Sequence, residues 1–318
     1  PWRAAQKNLP IFNSEYKARQ CSFIENTCSW STLNYRLNLE HPGSEAYYRS
    51  IINLYAEWGI DYIKVDDISR PYRDKEIELL SGIIQEQENE ILLSLSPGPT
   101  PPEKYSHVAK QAQLWRISND VWDHWKFVSR NINLARKKKG KSLCGSWPDL
   151  DIMPLGKMRI YPFDEWVAGL LGDNVDGITN EYSRLSETEQ ISVMNFWCFF
   201  GSPLFLGGFL PENNTFTNKL LTTIELLMLN QASLKRYELR GNNDYSVWIA
   251  ADSVSGTRYM ACINMSDTAR VFNIDTNQME LKSNSSLIDL WNSEVIKIGT
   301  GIELKILPHG SRVFKVKK

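Results

Sequence analysis

From residue 44 to about residue 206 the sequence repeats one unit, an amphipathic helix followed by a short apolar strand. No other feature restricts the fold as much. Residues 44–58 carry Tyr47, Ile51, Leu54, Tyr55 and Trp58 at helical spacing behind Pro42-Gly43, and Gly59 stops the pattern. Residues 60–65 then read as a buried strand. The same reasoning predicts helices over 74–88, near 103–111, around 123–138 and near 188–199. Strands are predicted at 91–96, at 114–118, weakly near Leu143, and at 204–206. Strands alternating with helices imply parallel βα units.

From about Tyr237 the pattern changes. Short alternating segments at 245–250, 258–263, 269–274, 286–290, 302–306 and 311–316 are separated by turn residues, at the spacing of roughly eight to twelve residues expected of an all-β sandwich. Two domains are expected, 1–236 built from βα units and 237–318 built from strands. The helix–strand units share a pattern and not a sequence: no internal sequence repeat and no low-complexity segment is evident.

Composition narrows the function classes. A chain of 318 residues with 42% hydrophobic and 23% charged residues can bury a large core. Lys+Arg 36 against Asp+Glu 37 leaves no global basic field to gather phosphates, so no nucleic-acid partner is expected. The longest apolar stretch, 196–210, is interrupted by Gly, Ser and Pro and falls short of the roughly 20 residues of a membrane span; no membrane partner is expected. Five cysteines (Cys21, Cys28, Cys144, Cys198, Cys262) and four scattered histidines show no metal-ligand spacing, and at most Cys21 and Cys28 could pair. Neither a metal nor a cofactor is expected. The 11 Trp, 13 Tyr and 12 Phe serve either a large core or sugar-stacking surfaces. No signal segment stands in the chain, and sequons at Asn213, Asn264 and Asn284 decide nothing alone. The expected compartment is the periplasm, the extracellular space or the lysosome.

In sheets of βα units, reactive groups stand at the carboxyl ends of the strands. Three such ends carry carboxylates. The first gives Lys64-Val65-Asp66-Asp67, in which Lys64 and Asp66 are two apart and share a side. The second gives Arg116-Ile117-Ser118-Asn119-Asp120, and the third Trp147-Pro148-Asp149-Leu150-Asp151. Buried carboxylates need partners, and Lys64 and Arg116 are the evident ones. Paired carboxylates from different strands beside an ammonium, a guanidinium and tryptophans fit glycoside hydrolysis. Helix caps and ion pairs at loop starts account for such residues equally well, most readily for Asp67 and Asp123.

At these residues the sequence resembles the α-galactosidases of glycoside hydrolase family 27. Trp58-Gly59-Ile60-Asp61-Tyr62-Ile63-Lys64-Val65-Asp66 is similar to the family's W-G-x-D-x-x-K-x-D strand, whose last Asp is the nucleophile. Trp115-Arg116-Ile117-Ser118-Asn119-Asp120 resembles W-R-x-x-x-D, whose Asp is the general acid/base, and Trp125 matches a following Trp. Trp147-Pro148-Asp149-Leu150-Asp151 resembles W-N-D-P-D, whose second Asp binds the sugar 2-hydroxyl together with the Arg. Ser202-Pro203-Leu204-Phe205 and Leu229-Asn230-Gln231 resemble the last barrel strand and the closing N-Q. The match runs from about residue 41 to the C-terminus.

The resemblance implies a (β/α)8 TIM-barrel-type catalytic domain followed by an antiparallel β-sandwich, and a cofactor-free retaining exo-glycosidase. Its substrate would be a carbohydrate with a terminal α-galactosyl residue; a homodimer is left open. Asp66 would attack the anomeric carbon, and Asp120 would protonate the leaving oxygen and later activate water. Lys64, Arg116, Asp151, Ser94, Ser96 and Trp147 would contact substrate.

Three departures from the family pattern stand out. Only five βα units precede the sandwich, so the barrel is expected to lack its first strands, and residues 1–41, with the Cys28-Ser29-Trp30 loop, would be the connection after the third strand. The segment Ser94-Leu95-Ser96-Pro97-Gly98-Pro99 replaces a Cys-Glu-Trp-like segment, and its small side chains leave α-N-acetylgalactosaminidase or β-L-arabinopyranosidase activity open. An inactive sugar-binding protein is the alternative of another class. Phe209 stands where related sequences carry Asp.

Overall fold

A computed structural model describes residues 2–28, 31–137, 145–158, 182–232, 234–252, 254–275, 285–298 and 301–317. The expected strand at Leu143, Cys144, positions 29–30 and the sequon at Asn284 lie outside the described residues. The chain divides into two compact units, residues 1–119 with 140–149, and residues 120–139 with 150–318.

The first unit opens with α1 (Trp2–Gln6) and an antiparallel hairpin of β1 (Ser22–Cys28) and β2 (Ser31–Leu37). The sequence reading names no strand in this connecting segment, and the structure adds the hairpin. Cys21 is a free, buried thiol bonded to the Ala18 carbonyl at 3.3 Å, so the pairing with Cys28 is also corrected. Then follow α2 (Gly43–Glu57), β3 (Tyr62–Val65), α3 (Asp74–Gln85), β4 (Leu92–Leu95), α4 (Tyr105–Gln111), β5 (Leu114–Arg116) and β6 (Trp147–Asp149). Helix α2 ends where expected: the Trp58 and Gly59 N–H groups bond back into its last turn, and Gly59 takes φ +72°, the left-handed C-terminal position that glycine adopts without penalty.

Strands β3, β4, β5 and β6 pair in that order, all parallel. The register sets Lys64 beside Ser94, Ser94 beside Leu114, and Arg116 beside Asp149. Alternation therefore gives the sheet two unlike faces. Ile63, Val65, Leu93, Leu95 and Trp115 form the apolar face, where Trp115 packs on Tyr105 of α4 with ring centroids 4.8 Å apart. Tyr62, Lys64, Ser94 and Arg116 lie on the opposite, polar face.

The second unit contains α5 (Trp125–Lys137), α6 (Glu187–Phe200), α7 (Thr215–Leu221) and α8 (Ile224–Gln231). Ser186 starts α6 with a reciprocal cap: its hydroxyl accepts from the Glu189 N–H while the Glu189 carboxylate accepts from the Ser186 N–H. The strand expected at 204–206 is reduced to a single bridge, Leu206 to Met153, running parallel.

The remaining strands are β7 (Lys235–Gly241), β8 (Tyr245–Ala251), β9 (Arg258–Asn264), β10 (Arg270–Asp275), β11 (Ser286–Asp289), β12 (Val295–Lys297), β13 (Gly301–Ile306) and β14 (Ser311–Lys317). Six form an antiparallel sheet in the order β12-β11-β14-β9-β8-β7, and β10 pairs with β13. Met260, Cys262, Phe272, Leu304 and Phe314 from both sheets share one core. The outer face of β8 is covered as well, because Trp248 meets Phe196 and Phe200 of α6 edge-on. Among the described residues, no helix is long and apolar enough to cross a membrane.

Candidate active site

The carboxyl end of the parallel sheet gathers most of the expected polar residues on one face. Asp66 follows β3 directly and is exposed, as is Lys64; the Asp66 carboxylate accepts from the Asp67 N–H at 2.9 Å. Asp67 itself has φ +58°, a left-handed conformation uncommon for a residue with a side chain. The loop is fastened to the next strand end by main-chain bonds, Ser96 N–H to Val65 O at 2.9 Å and Ile68 N–H to Ser96 O at 3.2 Å.

Arg116 is almost wholly buried, at 1% exposure, and its Nη1 donates to the Ser96 hydroxyl at 3.5 Å. Its carbonyl accepts from both the N–H and the hydroxyl of Thr100, at 3.0 and 2.8 Å. Gly98 makes this approach feasible, since a Cβ there would lie 2.3 Å from the Ser118 carbonyl oxygen. The Ser96-to-Thr100 segment thus lies against the end of β5. Ser94 and Ser96 are both buried, and Trp147, on the edge strand, is 47% exposed.

Two residues of this face are absent from the expected substrate contacts. Asp149 is buried and sits two residues beyond Trp147, in register with Arg116. Tyr62 lies two residues before Lys64. Burial pushes the Tyr62 phenol up, the Asp149 carboxylate pushes it further, and a hydrogen bond with Ser94 opposes the rise. A carboxylate on β6 therefore acts on a phenol of β3. The signal for both was the period of two that already paired Lys64 with Asp66.

The remaining expected residues, Asp120 and Asp151, belong to the second unit. Asp120 is exposed, and its carbonyl accepts from Arg130 Nη2 at 3.3 Å. Asp151 is buried and held from two sides. Its carboxylate accepts from the Val121 N–H at 2.8 Å, and its carbonyl from Trp197 Nε1 at 2.9 Å. Its φ of +79° is left-handed; a side-chain-bearing residue keeps such a conformation only where its surroundings over-determine it. Asp123 is buried, with the Arg184 N–H at 3.0 Å and Arg184 Nε at 3.7 Å from its carboxylate, the ion-pair role foreseen for it. Trp125 stacks on His309 with centroids 4.5 Å apart and donates Nε1 to Met265 O at 3.3 Å.

Residues 30–162 match the Melibiase_2 family model, described as alpha galactosidase A, and that segment contains Lys64, Asp66, Ser94, Ser96, Arg116, Asp120, Trp147 and Asp151. Over its full length the chain superposes on the crystal structure of a GH27 β-L-arabinopyranosidase from Geobacillus stearothermophilus. The TM-score is 0.89 and the identity 31%, and the match covers 72% of that enzyme's chain. The chain belongs to glycoside hydrolase family 27. Relatives by sequence include α-galactosidase D of Emericella nidulans, 24% identical across 83% of this chain, and α-galactosidase 2 of Arabidopsis thaliana, 23% identical across 86%. The chain spans 39% of the length of the first and 64% of the second.

Proposed function

We propose that the protein is a retaining exo-glycosidase that releases a terminal α-galactosyl residue, or a sugar of the same ring configuration, from oligosaccharides. The observation that carries the reading is the set Lys64, Ser94, Arg116 and Asp149 on one face of four parallel strands, with Asp66 and Ser96 directly beyond the carboxyl ends of the first two and the Ser96 hydroxyl accepting from Arg116. On this reading the sheet is part of a (β/α)8 barrel, as in the family at large.

In the first step an Asp66 oxygen attacks the anomeric carbon while the Asp120 carboxylic acid gives its proton to the departing glycosidic oxygen. The product is a glycosyl ester of Asp66. In the second step Asp120, now a carboxylate, takes a proton from water as that water attacks the same carbon, and the Asp66 carboxylate leaves. A direct displacement at each step requires the two carboxyl groups to stand about 5–5.5 Å apart. Lys64, on the same side as Asp66, hydrogen-bonds substrate hydroxyls, and Arg116 with Asp151 binds the 2-hydroxyl. The bonds that fix Asp151 also fix the chain at Val121, directly after Asp120.

The likeness to the Geobacillus enzyme favours one second reading, a β-L-arabinopyranoside substrate. That sugar has the ring configuration of an α-galactoside and lacks only the hydroxymethyl group, so the same two carboxylates would serve it. A third arm of the test is the α-N-acetylgalactosaminide, for which small side chains at Ser94 and Ser96 leave room. Hydrolysis of the three aryl glycosides by the protein distinguishes them through kcat/KM. Release of the sugar with retained configuration, followed by NMR, supports the two-step route; inversion contradicts it. Galactose binding without turnover of any arm would replace the reading with a sugar-binding protein.

A further inference from the structure

We infer that the hydrogen-bond chain Glu78–His107–Tyr72, on the far side of the loop from Asp66, is a positioning device that holds the nucleophile's loop in place. The inference rests on the reading of Asp66 as nucleophile. His107 Nε2 lies 2.9 Å from a Glu78 oxygen, and His107 Nδ1 lies 2.6 Å from the Tyr72 hydroxyl. A carboxylate can only accept, so Nε2 carries the ring hydrogen; Nδ1 of a neutral imidazole is then an acceptor, and the Tyr72 O–H donates to it. Burial first, and the Asp74 and Glu78 carboxylates next, keep the Tyr72 phenol well above its ordinary range, so it remains a donor. Lys104 completes the surroundings, with Nζ 5.4 Å from the Tyr72 ring centroid and 3.4 Å from Asp74.

The loop between β3 and α3 begins at Asp66 and ends at Arg73. Its near half is fixed by the buried Ile68, whose N–H bonds to Ser96 O and whose carbonyl accepts from the Arg73 N–H at 3.1 Å. Its far half turns back on itself at the Ser69–Tyr72 bridge and is tied outward by the Tyr72 hydroxyl. The receiving histidine stands on α4, the helix that follows Ser94 and Ser96. Asp67, next to the nucleophile, stays left-handed only while both ends of the loop are held. Loss of the outer tie would let Asp67 relax and carry the Asp66 carboxylate out of line, and a small displacement of a reacting group is costly.

The test compares three variants with the wild-type protein on whichever aryl glycoside the wild type hydrolyses fastest. Tyr72→Phe keeps the ring and removes only the donor; kcat is expected to fall about 5- to 10-fold, with KM and the thermal midpoint little changed. His107→Asn places an amide oxygen near the Nδ1 position and keeps the bond from Tyr72, whereas His107→Gln reaches the Nε2 position and keeps only the partner of Glu78. The expected order of kcat is therefore wild type, His107→Asn, then His107→Gln. A mere packing role would not separate the two amides in this order. Wild-type turnover with unchanged kcat in Tyr72→Phe, or His107→Gln equal to or faster than His107→Asn, overturns the positioning claim alone. A wild-type protein that hydrolyses none of the glycosides overturns the site reading, and this claim with it.

Discussion

The main-chain N–H of Val121 donates to the Asp151 carboxylate at 2.8 Å, so the residue after Asp120 is held by a side chain supplied beyond β6. Val121 is buried, and its N–H loses this acceptor if the carboxylate is removed. Asp151→Ala is expected to lower the unfolding free energy by about 1–3 kcal/mol. Asp151→Asn, which keeps an oxygen in place, is expected to cost less than half as much. Urea unfolding of the two variants measures the difference, and equal losses would show that the bond to Val121 has no part in it.

Gly98 lies against backbone that cannot yield. A Cβ there would stand 2.3 Å from Ser118 O, 2.7 Å from Ser118 N and 2.8 Å from Arg116 O. Gly98→Ala is therefore expected to push the Ser96-to-Thr100 segment away from β5, at a cost of about 1–3 kcal/mol. Because that segment bonds to Arg116, KM should rise as well. Thermal unfolding and steady-state kinetics on the same variant check both effects.

Burial sets the reactivity of two thiols. It pushes Cys198 and Cys262 up to about 12, so both are neutral thiols at pH 8 in the folded protein. Alkylation with iodoacetamide at pH 8, read by peptide mass spectrometry, is expected to leave both unlabelled until denaturant is added. Labelling of either in the folded protein would contradict its place in the core.

Much of the first unit was legible because its elements are punctuated. Pro42-Gly43 and Gly59 bracket α2, and the apolar runs that became β3 and β4 lie between charged helices. The period of two put Lys64 and Asp66 on one side, and the parallel register extends that side to Ser94 and Arg116. Other parts were not readable from local pattern. The β1–β2 hairpin lacks a glycine or Asn-Gly turn between Cys28 and Ser31, and its strands carry Glu, Asn and Arg amid the apolar residues. Strand β7, Lys235–Gly241, carries charged residues at 235, 236, 238 and 240 and no apolar run, and it becomes a strand by pairing with the apolar β8 across the short turn at 242–244. Conversely, 204–206 is apolar enough for a strand, yet its ladder is a single bridge, in which Met153 donates to the Phe205 carbonyl and accepts from the Gly207 N–H on either side of Leu206. Asp149 was visible as a carboxylate at a strand end; its place beside Arg116 came only with the register.

The central claim is tested most directly by Asp66→Asn. Asp66 is exposed and its carboxylate oxygen accepts only a neighbouring main-chain N–H among the described hydrogen bonds, so the isosteric amide should leave stability within about 0.5 kcal/mol of wild type. Turnover of the preferred aryl glycoside should fall by about three orders of magnitude or more, because an amide cannot form the glycosyl ester. Turnover at the wild-type rate in a correctly folded Asp66→Asn protein would contradict the assignment.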